Sequence, residues 1–198
     1  MKTKKTILLV LLVGLIVSCN RPVYRDYKLT EVDKQMIPYK LGQTVSCIDS
    51  EGQLFILTVT EDTTYISTGR EWDNLYVEYS YRVVRLQSET LSITLSIISN
   101  KPDDRYNTIR VFIGVGVDVA FSYYEIYYDK EGKFLEQGGS ILHNSIDIDG
   151  KVYYNVVECN TNRGVNWEPT VPMQFFYNKT YGILQINRDG ENFCTLKN

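Results

Sequence analysis

A single histidine, His143, is all the imidazole in 198 residues, and that scarcity removes whole classes of chemistry. A hydrolase triad would need His143 as its base. It lies instead in the strand-like run 140–148 beside Leu142 and Asn144, and no GxSxG elbow occurs anywhere. It reads as a half-exposed strand histidine. No CxxC pair is present, so a zinc site would have to gather scattered thiols around one imidazole, and neither a metal nor a cofactor is expected. Positive charge is also short: 21 Lys and Arg face 24 Asp and Glu. A mildly acidic chain is poorly suited to neutralising phosphates, which argues against a nucleic-acid partner. Beyond residue 18 no apolar run approaches the roughly 20 residues of a spanning helix. No internal repeat points to a propeller or solenoid.

Cysteine is sparse as well: Cys19, Cys47, Cys159 and Cys194. The last three cannot all pair with one another. An exported chain could oxidise one pair, or all three could be small buried apolar residues, since each sits in a strand-like run. What the chain does have is tyrosine, sixteen of them against seven Phe and two Trp. Tyrosine suits pleated, half-buried surfaces, where the ring packs and the hydroxyl reaches water.

The first nineteen residues organise the rest. Lys2, Lys4 and Lys5 precede an almost unbroken apolar run at 7–17, and Ile16-Val17-Ser18-Cys19 closes it. A cationic flank, a short apolar core and a small residue at the cut form an export signal. The segment resembles a bacterial lipoprotein signal, whose lipobox places a small residue before cysteine. The resemblance implies that residues 1–18 are removed and that Cys19 carries the lipid. The mature chain would then hold 18 basic against 24 acidic side chains, a net of −6. Its acyl chains would be its membrane attachment.

Residues 19–28 are polar and lack a period, and read as a tether; residues 29–198 form one domain. Thr30 followed by acids predicts a short N-capped helix over 30–36, ended by Pro38. From Gln43 onward the period is two. Strands are expected at 43–48 and 53–60, then a short edge strand at 65–68 before a polar loop. In 75–86 the odd positions Leu75, Val77, Tyr79, Tyr81 and Val83 form the apolar face. In 89–98, Leu91, Ile93, Leu95 and Ile97 alternate with Thr and Ser, one face buried and one wet. Residues 109–121 are too long for one strand, and Gly114 and Gly116 mark a bend, a bulge or a turn. Hairpins follow at 122–137, 140–159 (with Asp149-Gly150 as its turn) and 171–187, and Arg188-Asp189-Gly190 turns into a last strand at 192–196.

The stretches Ile37-Pro38-Tyr39-Lys40-Leu41-Gly42 and Tyr177-Asn178-Lys179-Thr180-Tyr181-Gly182, with Arg188-Asp189-Gly190, resemble the ends of small uncharacterised lipoproteins of Bacteroidetes-type bacteria. The resemblance implies a cell-envelope location at the outer membrane and a broad fold, not an activity. Asn20-Arg21-Pro22 stands where an acidic surface-export stretch would lie, which favours the periplasmic face. Asp62-Thr63-Thr64 resembles the short O-glycosylation site of such bacteria and reads equally as a polar turn.

Three candidate chemistries remain. Ser145, Asp147, Asp149 and Gly150 imitate the start of a calcium loop, but Val156 stands where the closing carboxylate is needed, so a hairpin is expected. Glu78, Asp118, Glu125 and Glu158 lie in strand-like runs and could supply the two acids of a glycosidase if they converge. Tyr123, Tyr124, Tyr127 and Tyr128 occupy both faces of one strand; one row should fill the core, while the other covers Gly114 and Gly116 or stays exposed. Trp72 and Trp167 lie in polar loops, Trp167 beside Arg163 and Asn166. Exposed aromatic rings stack on sugar faces or anchor partners.

The expected fold is therefore an all-β antiparallel meander, a barrel or strongly curved sheet with one short N-terminal helix, with a two-sheet sandwich as the alternative. The expected function is a membrane-anchored envelope lipoprotein, non-enzymatic, binding a protein or small-molecule partner through Trp167, Arg163, Asn166 and Trp72. A glycan-binding module and a glycoside hydrolase are the alternatives.

Overall fold

The computed structural model describes residues 25–70, 76–99, 104–115, 120–160 and 173–197. In chain order these form β1 (Arg25–Tyr27), α1 (Glu31–Gln35), β2 (Thr44–Asp49), β3 (Leu54–Arg70), β4 (Tyr76–Gln87), β5 (Leu91–Ile98), β6 (Asn107–Val115) and β7 (Ala120–Tyr128). There follow β8 (Phe134–Leu135), β9 (Ser140–Ile148), β10 (Lys151–Asn160), β11 (Met173–Asn178), β12 (Gly182–Arg188) and β13 (Glu191–Lys197). The twelve strands β2 to β13 pair antiparallel in the order β8-β7-β6-β5-β4-β3-β2-β13-β12-β11-β10-β9. Nearly every pair is a sequence neighbour; only β13 against β2 joins the two ends of the chain. The sheet curls into a nearly closed barrel, the first of the two expected architectures. Its terminal strands β8 and β9 are joined by the turn at 136–139, where the Ser140 hydroxyl donates to the carbonyl of Gln137 at 2.8 Å.

Alternation fills the interior. Leu91, Ile93, Leu95 and Ile97 are at most 1 % exposed, and β6 sets Ile113, Val111 and Ile109 beside the last three. Each such burial contributes roughly 1.5–3 kcal/mol. The long run 109–121 divides as β6 and β7, with residues 116–119 outside the described set. The expected face of β4 is reversed within the barrel: Val84 and Leu86 are fully buried, whereas Val83 is half-exposed. Tyr79 and Tyr81 made the odd face look like core, but they pack on Tyr27 and Tyr65 with ring centroids 5.6 and 5.1 Å apart. The polar Arg82 takes an inward place.

That arginine holds a plug. Thr30 caps α1, accepting from the Asp33 amide at 3.1 Å while the Asp33 carboxylate accepts from the Thr30 amide at 2.7 Å. Met36, Ile37 and Tyr39 behind it are buried in the barrel mouth. Arg82 spans the exit of the helix, donating to the carbonyls of Lys34, Ile37 and Tyr39 at 2.7, 3.0 and 2.8 Å. It also forks onto Asp62 at 2.7 and 3.0 Å. Helix-end acceptors that water would otherwise satisfy are thus met by one guanidinium. From the far wall, Ile183 donates its amide to the Tyr39 hydroxyl at 2.7 Å.

Residues 61–70, expected as a turn, an edge strand and the start of a loop, prolong β3 as far as Arg70, and 71–73 lie outside the described residues. β2 pairs only with Leu54 to Thr58, yet the β3–β4 ladder runs on to Arg70 opposite Tyr76. The two strands therefore leave the barrel as a ribbon. β1, read from sequence as tether, adds to this ribbon in parallel along Val77 to Tyr79. Ser99 staples it, donating to the Tyr27 carbonyl at 2.6 Å.

A second departure occurs at Asn155, a non-glycine residue with a φ of 52°. The β9–β10 pairing keeps one register on both sides of it, Tyr154 opposite Ser145 and Val156 opposite His143, while the buried positions change parity from Tyr153 to Val156. Beyond it the β9–β10 hairpin leaves β11 and packs Ile148 and Tyr153 with Val156, Phe176 and Leu184, a satellite core distinct from the barrel interior. Asp149 and Gly150 form its tip in left-handed conformations, so the calcium-like spacing is a hairpin turn.

Candidate functional site

Antiparallel pairing of β6 and β7 decides what the outer wall presents. Phe112 stands opposite Tyr123, Arg110 opposite Glu125 and Thr108 opposite Tyr127. Tyr124, Ile126 and Tyr128, of the other parity, are buried in the core. Tyr124 spends its hydroxyl on the Met173 carbonyl at 2.8 Å. One tyrosine row thus fills the interior, as expected. The other row faces outward, and Tyr123 lies against Phe112 rather than over Gly114.

The outward row forms a strip. Phe112 and Tyr123 have ring centroids 4.9 Å apart, and Tyr106 meets Tyr127 edge-on at 5.2 Å. Tyr123 and Tyr127 are about 13 Å apart along β7, at about 3.3 Å per residue. Glu125 lies between them and accepts from both hydroxyls, that of Tyr127 at 2.5 Å. Arg110 approaches the same carboxylate at 3.6 Å. Burial pushes the Glu125 carboxyl up, but the two hydroxyls and Arg110 together hold it below the usual range. Burial and then Glu125 push the Tyr127 hydroxyl up to about 12, and the Tyr123 hydroxyl rises for the same reasons. The strip therefore carries one ionised carboxylate, two fixed phenol donors and four rings, with Phe112 and Tyr106 exposed by 40 % and 38 %.

At the end of the sheet a narrow crevice separates β7 from β10, lined by Glu125, Tyr124, Gly138, Ser140, Cys159 and Asn160. Across it Glu158 accepts from Asn160 at 3.1 Å and from Gln174 at 2.7 Å, and lies 2.7 Å from His143 Nε2. The ladder continues: Asn187 donates to Gln174 at 2.7 Å, and Gln185 to Asn187 at 2.9 Å. Burial pushes the Glu158 carboxyl up as well, but His143, Asn160 and Gln174 pull it below the usual range. Glu125 and Glu158 are thus both stabilised as carboxylates. A glycosidase needs one acid held protonated beside the other, and neither environment does that. Glu78 lies on the ribbon opposite Asp26, and Asp118 lies outside the described residues.

Cys19, Trp72, Arg163, Asn166 and Trp167 also lie outside the described residues. Asn160 and Met173, which flank 161–172, sit at the barrel end opposite α1, because the other end of β11 carries Tyr177, whose hydroxyl donates to the Met36 carbonyl. Sequence reasoning missed Phe112, Arg110 and Tyr106 as partners of the tyrosines. Pairing 107–115 with 120–128 in antiparallel register would have brought the first two together with Tyr123 and Glu125. Compared with known proteins, the chain matches no family model, no curated protein and no solved structure.

Proposed function

We propose that the protein is a lipid-anchored lipoprotein of the cell envelope, on the periplasmic face of the outer membrane, that binds saccharide on the outer face of β6 and β7 without transforming it. The observation that carries this reading is the strip itself, in which Phe112–Tyr123 and Tyr106–Tyr127 flank Glu125 and Arg110. Aromatic faces pack on the apolar faces of sugar rings, while a carboxylate and a guanidinium meet hydroxyls. The rings lie on the outer face of the sheet, partly exposed, where an extended chain of sugars could run along them. The barrel interior is filled by side chains, so a ligand is better accommodated outside. Tethering through Cys19 rests on the signal-like residues 1–19.

Titration calorimetry against a panel of soluble oligosaccharides tests the reading. Phe112→Ala combined with Tyr123→Ala should weaken binding at least about tenfold while melting remains cooperative. Tyr154→Ala, at an exposed ring on β10, should leave binding unchanged. No heat with any saccharide, or equal losses in both variants, would overturn it.

A further inference from the structure

The ribbon that β3 and β4 extend beyond the barrel has one edge covered and one bare. On the β4 side, β1 lies along Val77 to Tyr79 and β5 begins at Tyr81. On the β3 side, ladder pairing with β2 ends at Thr58, and Val59 exchanges hydrogen bonds with Gly42 and Gln43. From Thr60 to Arg70 the outer edge of β3 pairs with no described residue. Natural edges of this length are normally blunted by proline, by lysine or by a bulge. Here Glu61 to Arg70 reads EDTTYISTGR, with no proline, no lysine and an unbroken register against β4. Thr63 to Thr68 are exposed, Ile66 by 71 %.

The edge is complementary to itself. Its acids, Glu61 and Asp62, lie at one end and its single cation, Arg70, at the other. Two copies run antiparallel about a twofold axis at Ile66 set Arg70 opposite Asp62, Thr64 opposite Thr68, Tyr65 opposite Ser67 and Ile66 opposite itself. Opposite charges and paired threonines are favourable cross-strand combinations, and two Ile66 side chains opposed at the axis bury apolar surface against each other. Asp62 already engages Arg82 in its own chain, so Arg70 of the second copy would join that pair, while Glu61 is held by Arg85 and the Tyr65 hydroxyl. We propose that the protein forms a twofold dimer by adding the free edge of β3 to the same edge of a second copy. The union runs from Arg70 at the tip of the ribbon to Asp62 beside the barrel wall at Val84, so the two barrels lie at its opposite ends. It is isologous and closed, because β1 covers much of the far edge of the ribbon and the pairing cannot propagate from there.

The test uses the full chain in detergent. Ile66→Cys should give a disulfide-linked dimer under mild oxidation, since directly opposed residues of antiparallel strands have Cα atoms about 4.5–5.5 Å apart, within disulfide reach. Leu54→Cys, also well exposed but at the barrel end of β3, should not cross-link. The native thiols Cys47, Cys159 and Cys194 are buried. In sedimentation, the native chain should dimerise, and Ile66→Lys, which opposes two ammonium groups at the axis, should raise the dissociation constant at least about tenfold. Arg70→Glu should weaken the dimer in the same direction. A native chain that sediments as a single copy at every concentration, equal cross-linking at positions 54 and 66, or a cross-link from position 66 to a different protein would each overturn the proposal.

Discussion

The hydroxyl of Tyr128 donates at 2.7 Å to the carboxylate of Asp33, 95 residues away in the chain. Asn107 donates to the same oxygen at 2.8 Å, and the other oxygen is held by Thr30. A 3 % exposed carboxylate is thereby supplied with donors from the helix it caps and from the wall it faces. Burial and the carboxylate push the Tyr128 hydroxyl well above its ordinary range, so it remains a donor. Tyr128→Phe should cost about 1.5–3 kcal/mol, the value of a hydrogen bond to a charged group. Asp33→Ala should cost at least as much, because it also removes the cap. Urea melts of the two variants give the comparison; a neutral Tyr128→Phe would mean the contact does not secure the plug.

The one-sided burial of β5 predicts unequal costs at adjacent residues. Leu95→Ala removes a side chain with no exposure and should cost about 2–5 kcal/mol. Thr94→Ala, on the outer face opposite Phe112, should stay within about 1 kcal/mol. Equal losses in denaturant would contradict the register.

Gly182 has φ +79°, and a Cβ there would lie 2.2 Å from the Tyr39 hydroxyl, which is itself fixed by the Ile183 amide. Gly150 has φ +74° with open space around it. Gly150→Ala should therefore cost only about 1 kcal/mol of backbone strain. Gly182→Ala should cost well beyond that, about 3 kcal/mol or more, because the clash adds to the strain. Thermal melting of the two variants separates these effects.

Acid should weaken the outer wall in a defined direction. Glu158 has a folded-state pKa below the ordinary value of 4.5. The stability it contributes is present above that value and is lost as pH falls through the folded pKa. Glu158→Gln should be less stable than the native chain at pH 7, and the gap should close as the pH falls below about 4. A gap that stayed constant from neutral pH to pH 3 would show that the carboxylate gains nothing from His143, Asn160 and Gln174.

The three described thiols should be silent in the folded state. Cys47, Cys159 and Cys194 are buried and reduced. Burial pushes the Cys159 thiol far up, and hydrogen bonding to Cys47 together with burial does the same for Cys194. A thiol reagent should label none of them until denaturant is added. If Cys19 carries a thioether-linked lipid, the reduced, unfolded chain should titrate three thiols rather than four.

The period-two pattern carried most of the architecture. Leu91 to Ile97 announced their own face, and the loop residues at 149–150 and 188–190 announced their turns. The pattern misled where the neighbours of a strand change along its length. β4 is barrel wall at Val84 and ribbon at Tyr79, and a count of apolar residues cannot tell a ring packed on Tyr27 from one in the core. Arg82 was illegible for a related reason: its three carbonyl partners lie 43 to 48 residues away. Of the outer strip, Tyr123 and Tyr127 were visible as an alternating row. Phe112 and Arg110 join it only through pairing across a segment, 116–119, whose length the sequence left undivided.

The placement of β1 has a mechanical consequence. Tension entering the described chain at Arg25 meets β1 first, then the Tyr27 carbonyl stapled by Ser99, and then the plug. β1 holds three residues in parallel with β4, so a modest pull would strip it and free those residues. Further extraction would have to draw Lys34, Ile37 and Tyr39 off a single guanidinium and pull Tyr39 away from Ile183 at once. The N-terminal segment thus acts as a weak link in series with a strong clasp, yielding slack under load before the barrel is asked to open.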